Sequence, residues 1–193
     1  MSDQVVIETA RLRIRKAVTS GDDVDFYCSL WTNPQVMVNV GFPDGLRITR
    51  EEIRDGIARK AGSVFSAQLI VIDKESGLPI GECKLGSPDA DGISETDVKL
   101  LPKFWGRGFG TEIKRALVDY LFTHTDCTAI KATPNKNNIA SQKMQEAVGS
   151  KRVGEGVFRF PDHMRDYTCD VPHYVYMVYR KDWERPYESN RVR

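Results

Sequence analysis

The sequence predicts a mixed α/β fold on three observations. Strand-like and helix-like stretches alternate along the chain, and a glycine-rich turn joins one strand-like run directly to an amphipathic helix. The 193 residues are 40% hydrophobic and 28% charged, which is the range of a globular chain that can bury a sizeable core. No internal repeat is evident, so a single domain is expected over residues 1–184, with a C-terminal tail at 185–193 that has little to bury.

The elements follow in order. Leu12 to Lys16 reads as a strand, and a helix from about Asp22 to Trp31 follows, led in by Thr19, Ser20 and Gly21 as cap candidates. Pro34 bars that helix from continuing. After the turn Gly41-Phe42-Pro43-Asp44-Gly45, Thr49 and Glu52 have capping-box spacing for a helix through Ala61, with Gly62 as its stop. Val64 to Ile72 and Ile80 to Leu85 read as a hairpin, and Glu95 to Leu101 as the strand that feeds the glycine turn. Beyond the turn, Ile113, Ala116, Leu117, Tyr120 and Leu121 make the i, i+3, i+4, i+7, i+8 stripe of a helix packed on one face. Thr128 to Ala132 reads as a strand, Asn138 to Val148 as a helix, Lys151 to Val157 as a strand and Tyr174 to Tyr179 as the last strand. Phe158 to Pro172 has no clear periodicity, and a loop of that length in a compact domain is usually functional or mobile.

Charge and composition exclude several partners. A formal net charge of +1 gives no broad field to attract nucleic acid or an anionic membrane, so neither is expected as a partner. The polar start Met1-Ser2-Asp3-Gln4 has no signal-peptide layout, and no apolar run approaches the roughly 18 residues of a membrane span. A cytoplasmic location is expected. Cys28, Cys83, Cys127 and Cys169 are scattered without a Cys-x-x-Cys pair, which argues for reduced thiols and against zinc, and no metal is expected.

The stretch from Leu100 to Glu112 carries the most chemistry. Glycines let backbone N–H groups close on a ligand, and the unpaired donors of a helix's first turn add partial positive charge, so a strand, a glycine turn and a helix in sequence make an anion site. The spacing Gly106-x-Gly108-x-Gly110 is not the dinucleotide fingerprint, and no Gly-Lys-Ser/Thr of a P-loop occurs. Trp105-Gly106-Arg107-Gly108-Phe109-Gly110 resembles the pyrophosphate motif of the GNAT superfamily of acyl-CoA-dependent N-acetyltransferases, commonly Gln/Arg-x-x-Gly-x-Gly/Ala, with Trp105 in place of Gln or Arg. With Thr111-Glu112 it is similar to the branch containing the ribosomal-protein N-terminal acetyltransferases. Pro134 to Gly149, with Asn138 and Ser141, resembles the superfamily's Asn-x-x-Ser helix ending in glycine. Glu8 to Arg15, Asn33 to Met37 and Tyr174 to Trp183 look like further parts of the same branch, so the resemblance spans nearly the whole chain.

That resemblance implies a central, mostly antiparallel sheet, splayed between the fourth and fifth strands and flanked by helices on both faces. It also implies an N-acetyltransferase that moves acetyl from acetyl-CoA to a primary amine, either a protein N-terminus or a small amine, by direct attack. Cofactor contacts carry over to Leu100, Leu101, Trp105, Gly106, Arg107, Gly108, Phe109, Gly110, Thr111, Asn138 and Ser141, with Arg107, Lys136 and Lys143 side chains available for outer phosphates. Ser141 would face the thioester sulfur as a donor, although Asn138 and Ser141 are also ordinary helix-capping residues. Four residues beyond Ser141, where many members carry a tyrosine acid, stands Gln145. For the base, Glu95 and Asp97 fall on one face of their strand; Glu82, His163 and His173 are further candidates, and Glu95 is the one assigned. Phe104, Trp105 and Phe109 are expected to pack at the sheet-helix junction. The loop after Phe158 is expected near the acceptor, and a homodimer fits the superfamily's habit. A catalytically silent acyl-CoA-binding regulatory module is the main alternative, and the glycine turn alone would also suit a different nucleotide-binding protein.

Overall fold

A computed structural model of the chain describes residues 5–183; residues 1–4 and 184–193, including the expected tail, lie outside the described residues. The described strands are β1 (Val5–Glu8), β2 (Leu12–Lys16), β3 (Leu69–Asp73), β4 (Pro79–Leu85), β5 (Ile93–Leu100), β6 (Ala129–Ala132), β7 (Lys151–Phe158) and β8 (Val171–Tyr179). They form one sheet in the order β1-β2-β3-β4-β5-β6-β8-β7, antiparallel at each pairing except β5 with β6. Helices α1 (Gly21–Trp31), α2 (Pro34–Met37), α3 (Arg50–Lys60), α4 (Phe109–His124) and α5 (Ile139–Ala147) cover both faces. Among the described residues, no helix is long and apolar enough to cross a membrane.

Alternation along the strands divides the core in two. In β3, Leu69 and Val71 join Leu12, Ile14, Ile113, Leu117 and Leu121 beneath α4, whereas Ile70 between them joins Tyr27, Leu30, Ile53 and Ile57 beneath α1 and α3. The helical stripe predicted from Ile113 is present but turned slightly. Ile113, Lys114, Leu117, Val118 and Leu121 form its buried centre, and Ala116 and Tyr120 lie at the margin.

Local signals explain most boundaries. Ser20 Oγ accepts from the Asp23 amide to start α1, and Thr49 and Glu52 complete both bonds of the capping box of α3. Pro34 does more than end α1, because it occupies the first turn of α2, where its missing N–H costs nothing, with Asn33 as the cap. The strand expected from Val64 begins only at Leu69. Ser63 draws the chain into a turn, its carbonyl accepting from Ser66 and Ala67 at 3.2 and 2.9 Å and its hydroxyl from Phe65 at 3.3 Å. β1 is an additional edge strand paired with β2, so the expected fourth and fifth strands are β5 and β6.

The splay falls between those two strands. β5 and β6 pair at Ile93–Ala129, Ser94–Ile130 and Glu95–Lys131 and then part, while β5 continues to Leu100 against β4. On the other side of the sheet from the parted strands, toward its β1 edge, Arg15 grips Asp23 by two hydrogen bonds of 2.7 Å, and the same carboxylate accepts from the Val18 amide at 2.8 Å, locking α1 to β2. Both side chains are largely buried, so Asp23→Ala removes the enclosed carboxylate that takes both guanidinium bonds and the Val18 amide. It should destabilise the fold by about 3 kcal/mol, read as a lower denaturation midpoint in urea.

Candidate active site

The parting of β5 and β6 opens a cleft of about 810 Å³ that runs from the N-terminus of α4 to α5 and out toward α2. Gly108 caps α4 in the left-handed conformation at φ 77°, a backbone state that side chains with a Cβ rarely adopt, and it directs the first-turn amides of Phe109, Gly110 and Thr111 toward the cleft mouth. Gly110 contributes in another way. A Cβ there would come within 3.2 Å of Met144 Sδ, so the residue lets α4 and α5 approach each other across the mouth.

The free edge of β5 is satisfied partly by side chains. The Val98 amide donates to Asp97 Oδ1 at 2.9 Å, and Trp105 Nε1 donates to the Leu100 carbonyl at 2.8 Å. The loop before α5 is tied across the cleft, because Asn135 Nδ2 donates to the Asn39 carbonyl at 3.2 Å. Asn138 caps α5, its Oδ1 accepting from the Ser141 amide at 3.0 Å, and half-buried Ser141 lines the cleft.

Charges segregate by face. Glu82, Asp97 and Lys99 cluster on one side of β4 and β5, with Lys99 bonded to Asp97 and 3.1 Å from Glu82, which also accepts from Trp31 Nε1 at 2.8 Å. Burial pushes the Asp97 carboxyl up, but Lys99, the Val98 amide and Lys84 outweigh it and hold the group below the usual range; its side chain remains 49% exposed toward the cleft. Burial likewise pulls the Lys99 ammonium down, and the two carboxylates overcome it and raise it. Glu95, more exposed, pairs with Lys131 at 2.7 Å where the strands separate. On the other face Lys114, 1% exposed, donates to Thr96 Oγ1, and burial lowers its ammonium to about 8 against the opposing influence of Asp97.

A slot between parted strands that ends on the amides of a glycine-capped helix can take an elongated ligand with an anionic group at one end. The acetyltransferase (GNAT) domain model matches residues 11–151, which include the glycine turn, the parted strands and α5. The chain belongs to the GNAT acetyltransferase family. An uncharacterized N-acetyltransferase, p20, from Bacillus licheniformis is 25% identical over 181 residues, covering 91% of this chain and 96% of that protein. Among solved structures, a GNAT-family acetyltransferase from Bacillus anthracis has a TM-score of 0.72 at 23% identity, covering 91% of this chain and 98% of its own. Spermidine N-acetyltransferase from Vibrio cholerae, solved with CoA and spermine, has a TM-score of 0.72 at 18% identity, covering 90% and 98%. Both structures share this fold.

In this GNAT chain the cleft gathers Glu95, Leu100, Trp105, Gly106, Gly108, Phe109, Gly110, Thr111, Asn138 and Ser141. Leu101 does not line it, since its side chain packs between the two cores. Arg107 stays outside as well, with its guanidinium 5.0 Å from the Phe109 ring centroid and its carbonyl accepting from Arg11 at 3.0 Å. Lys136 is held by Glu155 at 3.0 Å, whereas Lys143 faces the cleft. His163 lies in an exposed turn, and His173 packs against Gly156. Phe104 and Phe109 pack as expected, but Trp105 is 47% exposed and serves β5 by its indole N–H. The loop after Phe158 reaches the cleft only indirectly. Cys169 donates to the Gly41 carbonyl at 2.8 Å and Phe160 packs on Phe42, beside the Asn39–Val40 rim. Lys114 escaped the sequence reading because a charged residue is invisible to an apolar stripe, although its spacing from Gly110, Leu117 and Leu121 marks the buried face.

Glu112 braces the glycine turn from behind. It accepts from Thr9 Oγ1 at 2.6 Å and from the Arg11 amide and Nε at 3.1 and 2.7 Å. Burial raises its carboxyl, but these donors prevail and hold it below its ordinary value of 4.5. A lowered folded value means that the stabilisation is complete above pH 4.5 and fades as pH falls through the lowered value. Wild type should therefore exceed Glu112→Gln in denaturation midpoint at pH 7, and the gap should shrink in that acid window.

Proposed function

We propose that this chain transfers the acetyl group of acetyl-CoA to a primary amine by direct attack. The observation that carries the reading is the early parting of β5 and β6 directly in front of the α4 N-terminus. The amides of Gly108 to Thr111 hold the pyrophosphate, and the pantetheine arm lies in the slot along the free edge of β5 with Asn138 and Ser141 on its other side. Family membership supports the donor. Direct transfer also needs no enzyme nucleophile and no metal: the slot holds donor and acceptor together, which supplies much of the catalytic advantage.

Glu95 is the assigned base, draining the ammonium proton through water at the end of the parallel seam, and Ser141 donates a hydrogen bond to the sulfur. The acceptor is a protein N-terminus or a small amine. The glycine-turn sequence Trp105-Gly106-Arg107-Gly108 supports the first through its likeness to the ribosomal-protein branch, and the spermidine acetyltransferase fold supports the second. Gln145 in place of a tyrosine is the observation that favours a second reading, an acyl-CoA-binding module without turnover.

Three measurements test these assignments. Calorimetry should give acetyl-CoA binding to wild type that Gly108→Trp, folded by circular dichroism, weakens at least tenfold; unchanged affinity removes the pyrophosphate assignment. Thiol release across a panel of peptide N-termini, polyamines and aminoglycosides should exceed the rate without amine, and a flat panel favours the silent module. Ser141→Ala should lower kcat about tenfold with little change in affinity, as expected for loss of one hydrogen bond made in the transition state.

A further inference from the structure

Where the β5–β6 pairing ends, the cleft has a buried polar lining that neither the fold nor the assigned residues explain. Glu95 and Lys131 are the last paired residues of β5 and β6, so Thr96 and Ala132 are the first to face the opening. Lys114 and Gln145 join them there, and all four are buried and line the cleft. A lysine that is only 1% exposed ordinarily has a carboxylate partner, yet the bond that Lys114 makes is to the Thr96 hydroxyl, while Asp97 is engaged by Lys99. Gln145, 3% exposed, keeps its Oε1 without a hydrogen-bond partner. An amine with no carboxylate bonded to it and a carbonyl oxygen without a donor are costly to bury, and a polar ligand end seated there relieves both.

On the reading that acetyl-CoA occupies the slot, we propose that Lys114 meets the CoA sulfur at this polar lining and gives the departing thiolate its proton. The acceptor nitrogen forms the C–N bond, and the C–S bond breaks with its electron pair on sulfur. Lys114 Nζ transfers one proton to that sulfur, the proton of the attacking nitrogen leaves to water on the carboxylate side, and water reprotonates Lys114. The products are the amide and free thiol. This assignment supplies the acid that Gln145 cannot, since a carboxamide has no proton to give near neutrality. A lysine whose ammonium is lowered to about 8 is matched to a thiol leaving group, and Lys99, raised by two carboxylates, is not. The charged groups that share the cleft are Lys84 on β4, Glu95, Asp97 and Lys99 on β5, and Lys143 on α5; of these Asp97 favours the charged form of Lys114.

The test uses thiol release from acetyl-CoA with the panel amine of highest turnover, together with calorimetry. In wild type, kcat should fall as pH rises through about 8, because neutral Lys114 has no proton to donate. Lys114→Met should bind acetyl-CoA within about threefold of wild type, lose about 100-fold or more in kcat and lose this alkaline limb. Lys114→Arg keeps the charge but does not release a proton, so it should remain slow. Thr96→Val removes the acceptor of the ammonium and should move the limb to lower pH without abolishing activity. Wild-type turnover by Lys114→Met or Lys114→Arg, or a limb unmoved in Thr96→Val, overturns the proposal. Absence of acetyl-CoA binding to wild type would instead overturn the reading of the slot on which it rests.

Discussion

The organisation of this molecule depends on one interruption in backbone pairing. Parallel strands normally continue until their crossover elements end them, but β5 keeps its β6 partner for only three positions and then runs on against β4 alone. Main-chain groups left on an inward edge must find partners or lose the free energy of several hydrogen bonds. Asp97 takes the Val98 amide and Trp105 takes the Leu100 carbonyl, so residues of the cleft wall also maintain the strand that forms it. The same interruption brings the start of α4 and the start of α5 to opposite sides of one opening, which is why two motifs about 30 residues apart face a common space.

The electrostatics are arranged around that opening. One face carries a paired cluster in which each carboxylate has a nearby ammonium, so Asp97 stays ionised despite its enclosure. The opposite face carries a single hydroxyl-bound lysine in an apolar setting. Two kinds of ammonium, one made more basic by carboxylates and one made less basic by burial, therefore lie on either side of the same strand. Strand alternation alone produces this contrast, since Lys99 and Thr96 project to opposite faces of β5.

What was legible in the sequence was mostly local. The cap at Ser20, the capping box at Thr49 and Glu52, and the glycine turn each depend on residues within a few positions of one another, and each occurs where the spacing places it. The family resemblance supplied the mostly antiparallel character of the sheet and the place of its splay, which periodicity does not encode. The errors arose where a tertiary or competing local bond decides the outcome. Val5–Glu8 becomes a strand because β2 offers it an edge, Val64 does not because Ser63 captures the neighbouring amides, and Pro34 opens a helix because Asn33 caps it. At the site, the resemblance carried contacts over to Leu101 and Arg107, whose side chains lie against the core and against Phe109 and do not line the cleft. The spacing of Lys114 from Leu117 and Leu121 marks it as inward-facing, but its Thr96 partner is set by how α4 lies on β5.

The short seam has a mechanical consequence. The Ile93–Glu95 pairs join the two parts of the sheet at one end and leave about 16 Å of β5 beyond them without a β6 partner, while α4 packs on both parts. Over that length a difference of ten degrees in strand direction would separate the far tips by roughly 3 Å while leaving the paired residues in place. The Asn135–Asn39 bond crosses the opening away from those pairs, and the Cys169–Gly41 bond and the Phe42–Phe160 contact lie beside it, so the distance between the two sides there is fixed by side chains and loops and not by strand pairing.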